Sequence, residues 1–135
     1  MEIAYRLGND LDLDEVIDVY RDSTLGARRP VDERDRMQQM LERANLVVSA
    51  WDAGRLVGIA RSLSDFCYAT YLSDLAVRLA HQHCGIGREL VRRTQEAGGR
   101  AHVVLLSAPA AVDYYPKIGM AAAPGFILRA HERVR

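Results

Sequence analysis

Gln82, His83, Cys84, Gly85, Ile86 and Gly87 form the stretch whose residue types and spacing point most directly to chemistry. Two glycines one residue apart follow an apolar and aromatic run at 71–77, and they precede a run at 88–96. Across that junction Ile86, Leu90 and Val91 recur at helical spacing. The loop therefore joins a strand to a helix. At such a junction glycine permits positive φ and close approach of a ligand, while the first helical N–H groups lack intrahelical acceptors and point outward. The ligand suited to this arrangement is an anion. About three or four amides, each giving roughly 1.5–3 kcal/mol in a charge-assisted bond, would hold a diphosphate without a metal or a lysine. The same hexapeptide is also compatible with an ordinary strand-to-helix turn.

The elements that must position this loop can be read from local patterns. The first residues, 1–6, read as a strand. Asp12 with Glu15 has the form of a capping box, followed by Val16, Ile17 and Tyr20 on one face, which predicts a helix to about Asp22. A loop over 23–31 leads to a second candidate cap, Asp32, and a helix with an apolar stripe of Met37, Met40, Leu41 and Ala44. Runs at 46–51 and 56–60 flank the polar residues 52–55, which predicts a β-hairpin. A second turn at 64–67 returns the chain into the strand that feeds the glycine loop. Gly98 and Gly99 stop the helix after the loop, and 102–106 reads as a short buried strand. Pro109 opens a short helix through Tyr115, and 125–130 is expected to close the chain as a last strand.

Composition narrows the partners. The 135 residues, 49% of them hydrophobic, suit one domain with a real core. Eighteen basic and eighteen acidic side chains give no net charge, so there is no electrostatic case for nucleic-acid binding or a polybasic membrane anchor. No long uncharged apolar run and no basic-then-apolar leader is visible, which points to a cytoplasmic protein. The two cysteines, Cys67 and Cys84, have no partners at metal-ligand spacing, so neither a structural metal nor a disulfide framework is expected.

The order strand, two helices, three-stranded meander, glycine loop with helix, strand, short helix, strand resembles the GNAT superfamily of acetyl-CoA-dependent N-acetyltransferases. Two separate motifs carry the resemblance. Gln82, Gly85 and Gly87 after Leu75, Ala76 and Val77 are similar to the family's pyrophosphate signature, and Ala111, Tyr114, Tyr115 and Gly119 are similar to its C-terminal segment. Two positions depart from the pattern: His83 and Cys84 stand where a small residue and a Lys or Arg are frequent, and Met120 replaces an aromatic. Arg88 is the next basic group that could compensate.

The resemblance implies an α/β (α+β) fold with a mixed, mostly antiparallel central sheet and flanking helices. It implies acetyl-CoA as co-substrate without a metal, and a primary amine of a small molecule or peptide as acceptor. A homodimer is the common assembly. Cofactor contacts are expected from the main chain at Leu75, Ala76 and Val77 and from Gln82, His83, Cys84, Gly85, Ile86, Gly87 and Arg88. Tyr115 is marked as general acid toward the departing thiolate, a role that suits a phenol because its reference pKa is about 10. Asp74 is the candidate base, and Arg28, Arg29, Asp65 and Tyr68 are candidate acceptor contacts. Cysteine is not required as a nucleophile. A non-catalytic acyl-CoA-binding sensor keeps the same cradle and is the alternative. A plain nucleotide-binding domain fits less well, because the element order is wrong for a doubly wound sheet.

Overall fold

The computed structural model describes all 135 residues. In chain order these form β1 (Ile3–Leu7), α1 (Leu13–Asp22), a 3-10 turn (Leu25–Arg28), α2 (Arg34–Arg43), β2 (Leu46–Asp52), β3 (Arg55–Ser64) and β4 (Ala69–Val77). A 3-10 turn (Leu79–His81), α3 (Ile86–Ala97), β5 (His102–Val104), a 3-10 turn (Pro109–Ala111) and α4 (Tyr114–Lys117) follow. The chain divides into two compact units, Met1–Leu105 and Leu106–Arg135. No helix is long and apolar enough to cross a membrane.

The first unit holds the sheet, ordered β1-β2-β3-β4-β5, antiparallel through β4 and parallel between β4 and β5. This is the mixed, mostly antiparallel architecture expected from the sequence. The hairpin between β2 and β3 turns through Ala53 and Gly54, both at positive φ (49° and 81°), as a tight two-residue connection requires to match strand twist. Leu13, Val16, Ile17 and Tyr20 of α1 and Met37 and Leu41 of α2 pack with Val47, Trp51, Leu56, Ile59 and Ala76 of the sheet into one core. Gly58 lies next to Ile59 and so faces the other side of the sheet. A Cβ there would sit 3.1 Å from Leu90 Cδ1 and 3.3 Å from the Ala76 carbonyl oxygen, so glycine lets α3 approach closely.

Several local expectations are corrected. Asp12 caps α1, accepting the Glu15 N–H at 3.0 Å, but Glu15 does not close the box: its carboxylate accepts the Leu56 N–H at 3.3 Å and ties the helix start to β3. Asp32 is not the cap of α2. That position falls to Glu33, whose side chain makes no capping bond, while Asp32 is drawn into an ion pair with Arg21 at 2.8 Å. The strand expected at 102–106 is paired only over His102–Val104.

In the second unit the expected helix through Tyr115 is two pieces: the turn at Pro109–Ala111, then α4 beginning at Tyr114. Gly119, at φ 97°, ends it, with the Gly119 and Met120 N–H groups returning to the Pro116 and Tyr115 carbonyls at 3.1 Å. The expected last strand at 125–130 does not form. Its apolar residues give it β-propensity, yet a strand also needs a neighbouring backbone to pair with, and Phe126 is 95% exposed.

Candidate functional site

The glycine loop is anchored on both sides before it opens. Arg78, buried at the end of β4, donates from Nε to the Leu56 carbonyl at 2.8 Å and from Nη1 to Asp18 at 2.6 Å. The Leu79 N–H donates to Asp22 at 3.0 Å, and His81 Nε2 lies 2.9 Å from Asp52 Oδ2. Side chains of α1 and β2 thus hold the turn Leu79–His81 against the sheet. Gln82 then folds back, its Nε2 donating to the Val77 carbonyl at 2.9 Å. Loop and strand end are joined through this side chain.

Two left-handed residues, His83 (φ 63°) and Gly85 (φ 84°), bracket Cys84 and turn the chain into α3. The first helical bond is from the Glu89 N–H to the Gly85 carbonyl at 3.1 Å, so the N–H groups that precede it have no intrahelical acceptor. A Cβ on Gly85 would meet nothing within 4 Å, so this glycine is required by its φ and not by crowding. Ile86 is buried beneath the helix start, while His83, Cys84 and Arg88 are exposed. Glu89, one turn in, is held at about 2 by hydrogen bonds from Arg92 and Arg93, so its charge is shared with two guanidinium groups.

The strand feeding the loop has a free edge. β4 pairs with β5 only at Ala69, Thr70 and Tyr71, and over 72–77 its one sheet neighbour is β3. The break coincides with a bulge: Ser62 pairs with Leu72 and Arg61 with Asp74, leaving Ser73 as the extra residue. A bulge bends the strand that carries it and takes backbone groups out of the ladder. Here the Ser73 carbonyl accepts from Arg29 Nη2 at 2.7 Å. The main chain at Leu75, Ala76 and Val77 therefore runs along an unpaired edge into the open start of α3.

Asp74 has no exposed surface. Its oxygens accept from Arg29 Nε at 2.6 Å, Arg61 Nε at 2.5 Å and the Tyr20 hydroxyl at 2.6 Å. Burial pushes its carboxyl up, but the Arg61 charge and hydrogen bond, the Tyr20 hydroxyl and the Arg29 charge outweigh this and hold it below the usual carboxylate range. A carboxylate so occupied and so acidic is poorly suited to take a proton from an amine. Burial, then the Asp74 charge, pushes the Tyr20 phenol well above its ordinary value, so Tyr20 stays a donor.

The candidate acceptor contacts separate. Arg29 is turned inward onto Asp74 and Ser73, whereas Arg28 is exposed on the 3-10 turn. Asp65 accepts the N–H groups of Cys67, Tyr68 and Ala69 at 2.9, 2.7 and 3.0 Å, and these bonds hold its carboxyl at about 2. That geometry makes a turn. Tyr68 is exposed, its ring edge-on to His102 at 5.3 Å. Both lie at the start of β4, the opposite end from the glycine loop, and a nine-residue strand spans about 30 Å. Tyr115 belongs to the second unit, where its ring is edge-on to Tyr114 at 5.2 Å.

Sequence reasoning does not find Tyr20, Arg61, Ser73 or Arg78. A signal was present: Arg61 and Asp74, opposite charges inside mainly uncharged strands, must find partners if both are buried.

Comparison with known proteins bears on the fold and the family. The sequence matches the acetyltransferase (GNAT) domain family over residues 19–125. It is 30% identical over 105 residues to a Prochlorococcus marinus protein described as an uncharacterized N-acetyltransferase, ycf52-like, covering 73% of this chain and 57% of that protein. The chain thus spans little more than half the length of that curated relative. The structure superposes on a GNAT family acetyltransferase from Streptococcus pneumoniae with a TM-score of 0.79 at 22% identity, covering 97% of this chain and 100% of that one. It also superposes on the aminoglycoside N-acetyltransferase AAC(6')-Iy in complex with CoA with a TM-score of 0.73 at 16% identity, covering 95% and 93% of the two chains. These structural likenesses speak to the fold, and the match over residues 19–125 assigns the chain to a family: it belongs to the GNAT acetyltransferases.

Proposed function

We propose that the protein is an N-acetyltransferase that uses acetyl-CoA and acetylates a primary amine by direct attack. One observation carries this reading: the unpaired edge of β4 over 72–77 runs into a left-handed glycine and an open helix start. An extended arm can add to a free strand edge through main-chain bonds, and a diphosphate can sit against N–H groups at a helix start, so the two features suit one elongated ligand. Such a ligand, when bound, supplies the activated acetyl group and a thiolate leaving group. The relative of known complex, AAC(6')-Iy with CoA, has the same fold.

In this reading Gly85, Gly87 and Arg88 donate main-chain N–H groups to the diphosphate, and His83, Cys84 and Ile86 shape the turn. With no lysine in the loop, backbone donors carry more of the binding than side-chain charge. The main chain near Leu75 and Val77 aligns the thioester arm and offers donors to the carbonyl oxygen. Tyr115 gives the proton to the departing sulfur. Asp74 is assigned to structure, so the amine reaches the site already neutral or loses its proton to water. Arg28, exposed on its turn, remains the acceptor-side cation.

Thermal-shift titration with acetyl-CoA, followed by an amine panel read by release of free thiol, tests the proposal. Stabilisation by acetyl-CoA together with thiol release on at least one amine is expected. Stabilisation without release on any amine would favour the binding-only sensor, and stronger stabilisation by a dinucleotide would reject both.

A further inference from the structure

The bulge of β4 is braced from behind by side chains that the reaction above does not consume. Each nitrogen of the Arg29 guanidinium has its own acceptor. Nε donates to Asp74 Oδ1 at 2.6 Å, Nη2 to the Ser73 carbonyl at 2.7 Å and Nη1 to the Arg28 carbonyl at 2.8 Å. Arg61 completes the brace from β3, its Nη2 donating to the Ser73 hydroxyl at 3.0 Å and its Nη1 to the Met40 carbonyl of α2 at 3.2 Å. The Ser73 hydroxyl in turn lies 3.2 Å from Asp74 Oδ1. A bulged residue is normally the loosest point of a ladder; here its carbonyl and hydroxyl are both held.

Resting on the acetyltransferase reading, we propose that Arg29 is a positioning residue for the reaction. It fixes the bulged main chain at Ser73 and Asp74, and it fastens the segment after the turn Leu25–Arg28 to the strand edge where the thioester arm lies. The planar fork is what allows this. A lysine at position 29 can reach one acceptor as a point charge, but it cannot hold the Asp74 carboxylate and the Ser73 carbonyl in one plane. Asp74 acts through Arg29 and Arg61 by keeping both guanidinium groups in register. Arg29 is the more exposed of the two, 21% against 10% for Arg61, so its replacement disturbs the core less.

The test compares the full chain with Arg29→Lys and Arg29→Gln, two variants so that one folding failure does not decide the outcome. Peptide-level hydrogen exchange is measured without ligand and with saturating acetyl-CoA, and turnover is measured on the best amine from the panel. The expected result has three parts. Exchange over 72–75 is about tenfold faster or more in both variants, with α3 unchanged. kcat falls about tenfold to a hundredfold, while KM for acetyl-CoA and Kd for CoA stay within about twofold. Exchange at 72–75 equal to wild type in a folded variant, or wild-type kcat, or a loss that appears wholly as CoA affinity, overturns the role. If wild type fails to bind acetyl-CoA, the functional reading falls, and the ligand-free exchange still decides whether Arg29 holds the bulge.

Discussion

Asp74 keeps its charge without exposed surface because two guanidinium groups and two hydroxyls donate to its two oxygens, and the same arrangement makes the residue costly to alter. Breaking a buried ion pair by removing one partner leaves the other charge uncompensated, so Asp74→Asn should lose about 3–5 kcal/mol in a urea melt. The pH dependence carries a defined sign. The folded carboxyl lies below its unfolded value of about 3.9, so its stabilising contribution is complete above that pH and is lost as pH falls through the folded value. Wild type should therefore lose stability more steeply below about pH 4 than Asp74→Asn does. Parallel acid limbs for the two proteins would contradict the ion-pair account. Tyr20→Phe removes only one neutral donor to a charged acceptor and should cost about 1.5–3 kcal/mol, less than the loss at Asp74.

At the scale of elements, left-handed backbone decides two turns with opposite consequences. Gly85 at φ 84° opens α3, and Gly85→Ala meets no atom within 4 Å, so its cost is conformational, about 1–2 kcal/mol. Because that φ aims the helix start, the variant should also show a smaller acetyl-CoA-induced thermal shift. An undiminished shift would mean that the open N–H groups are not the anion contact. Ala53 at φ 49° is already a residue with a Cβ in the left-handed region, so Ala53→Gly should stabilise the fold by about 1–2 kcal/mol, read as a higher urea midpoint. The same contrast explains what was legible in the sequence. The cap at Asp12, the hairpin and the glycine loop depend on residues a few positions apart and could be read. The convergence of Tyr20, Arg29 and Arg61 on Asp74 joins residues 54, 45 and 13 positions away and depends on a one-residue bulge, which no local pattern announces. The segment 125–130 fails in the other direction: its apolar run is local, whereas pairing is not.

For the whole molecule, the division of the chain separates stability from the proposed proton donor. Every apolar side chain of the buried core lies between Leu13 and Ala101, inside the unit Met1–Leu105. That unit also holds the sheet, the bulge, the Asp74 cluster and the glycine loop with α3. The second unit has no buried residue and carries Tyr114 and Tyr115. Cooperative unfolding follows the buried apolar core, so most of the folding free energy should reside in the first unit. The proposed cradle for the diphosphate also belongs to it. A fragment of residues 1–105 should therefore unfold cooperatively with a melting temperature near that of the full chain, and acetyl-CoA should still raise it. It should nevertheless release no thiol with an amine that the full chain acetylates, because the proposed donor of the leaving-group proton, Tyr115, is gone. Differential scanning fluorimetry with and without acetyl-CoA, beside the thiol assay on the same fragment, separates the two halves of the expectation. Turnover by the fragment at the full chain's rate would remove Tyr115 from the mechanism, and a fragment that melts without cooperativity would show that residues 106–135 belong to the core after all.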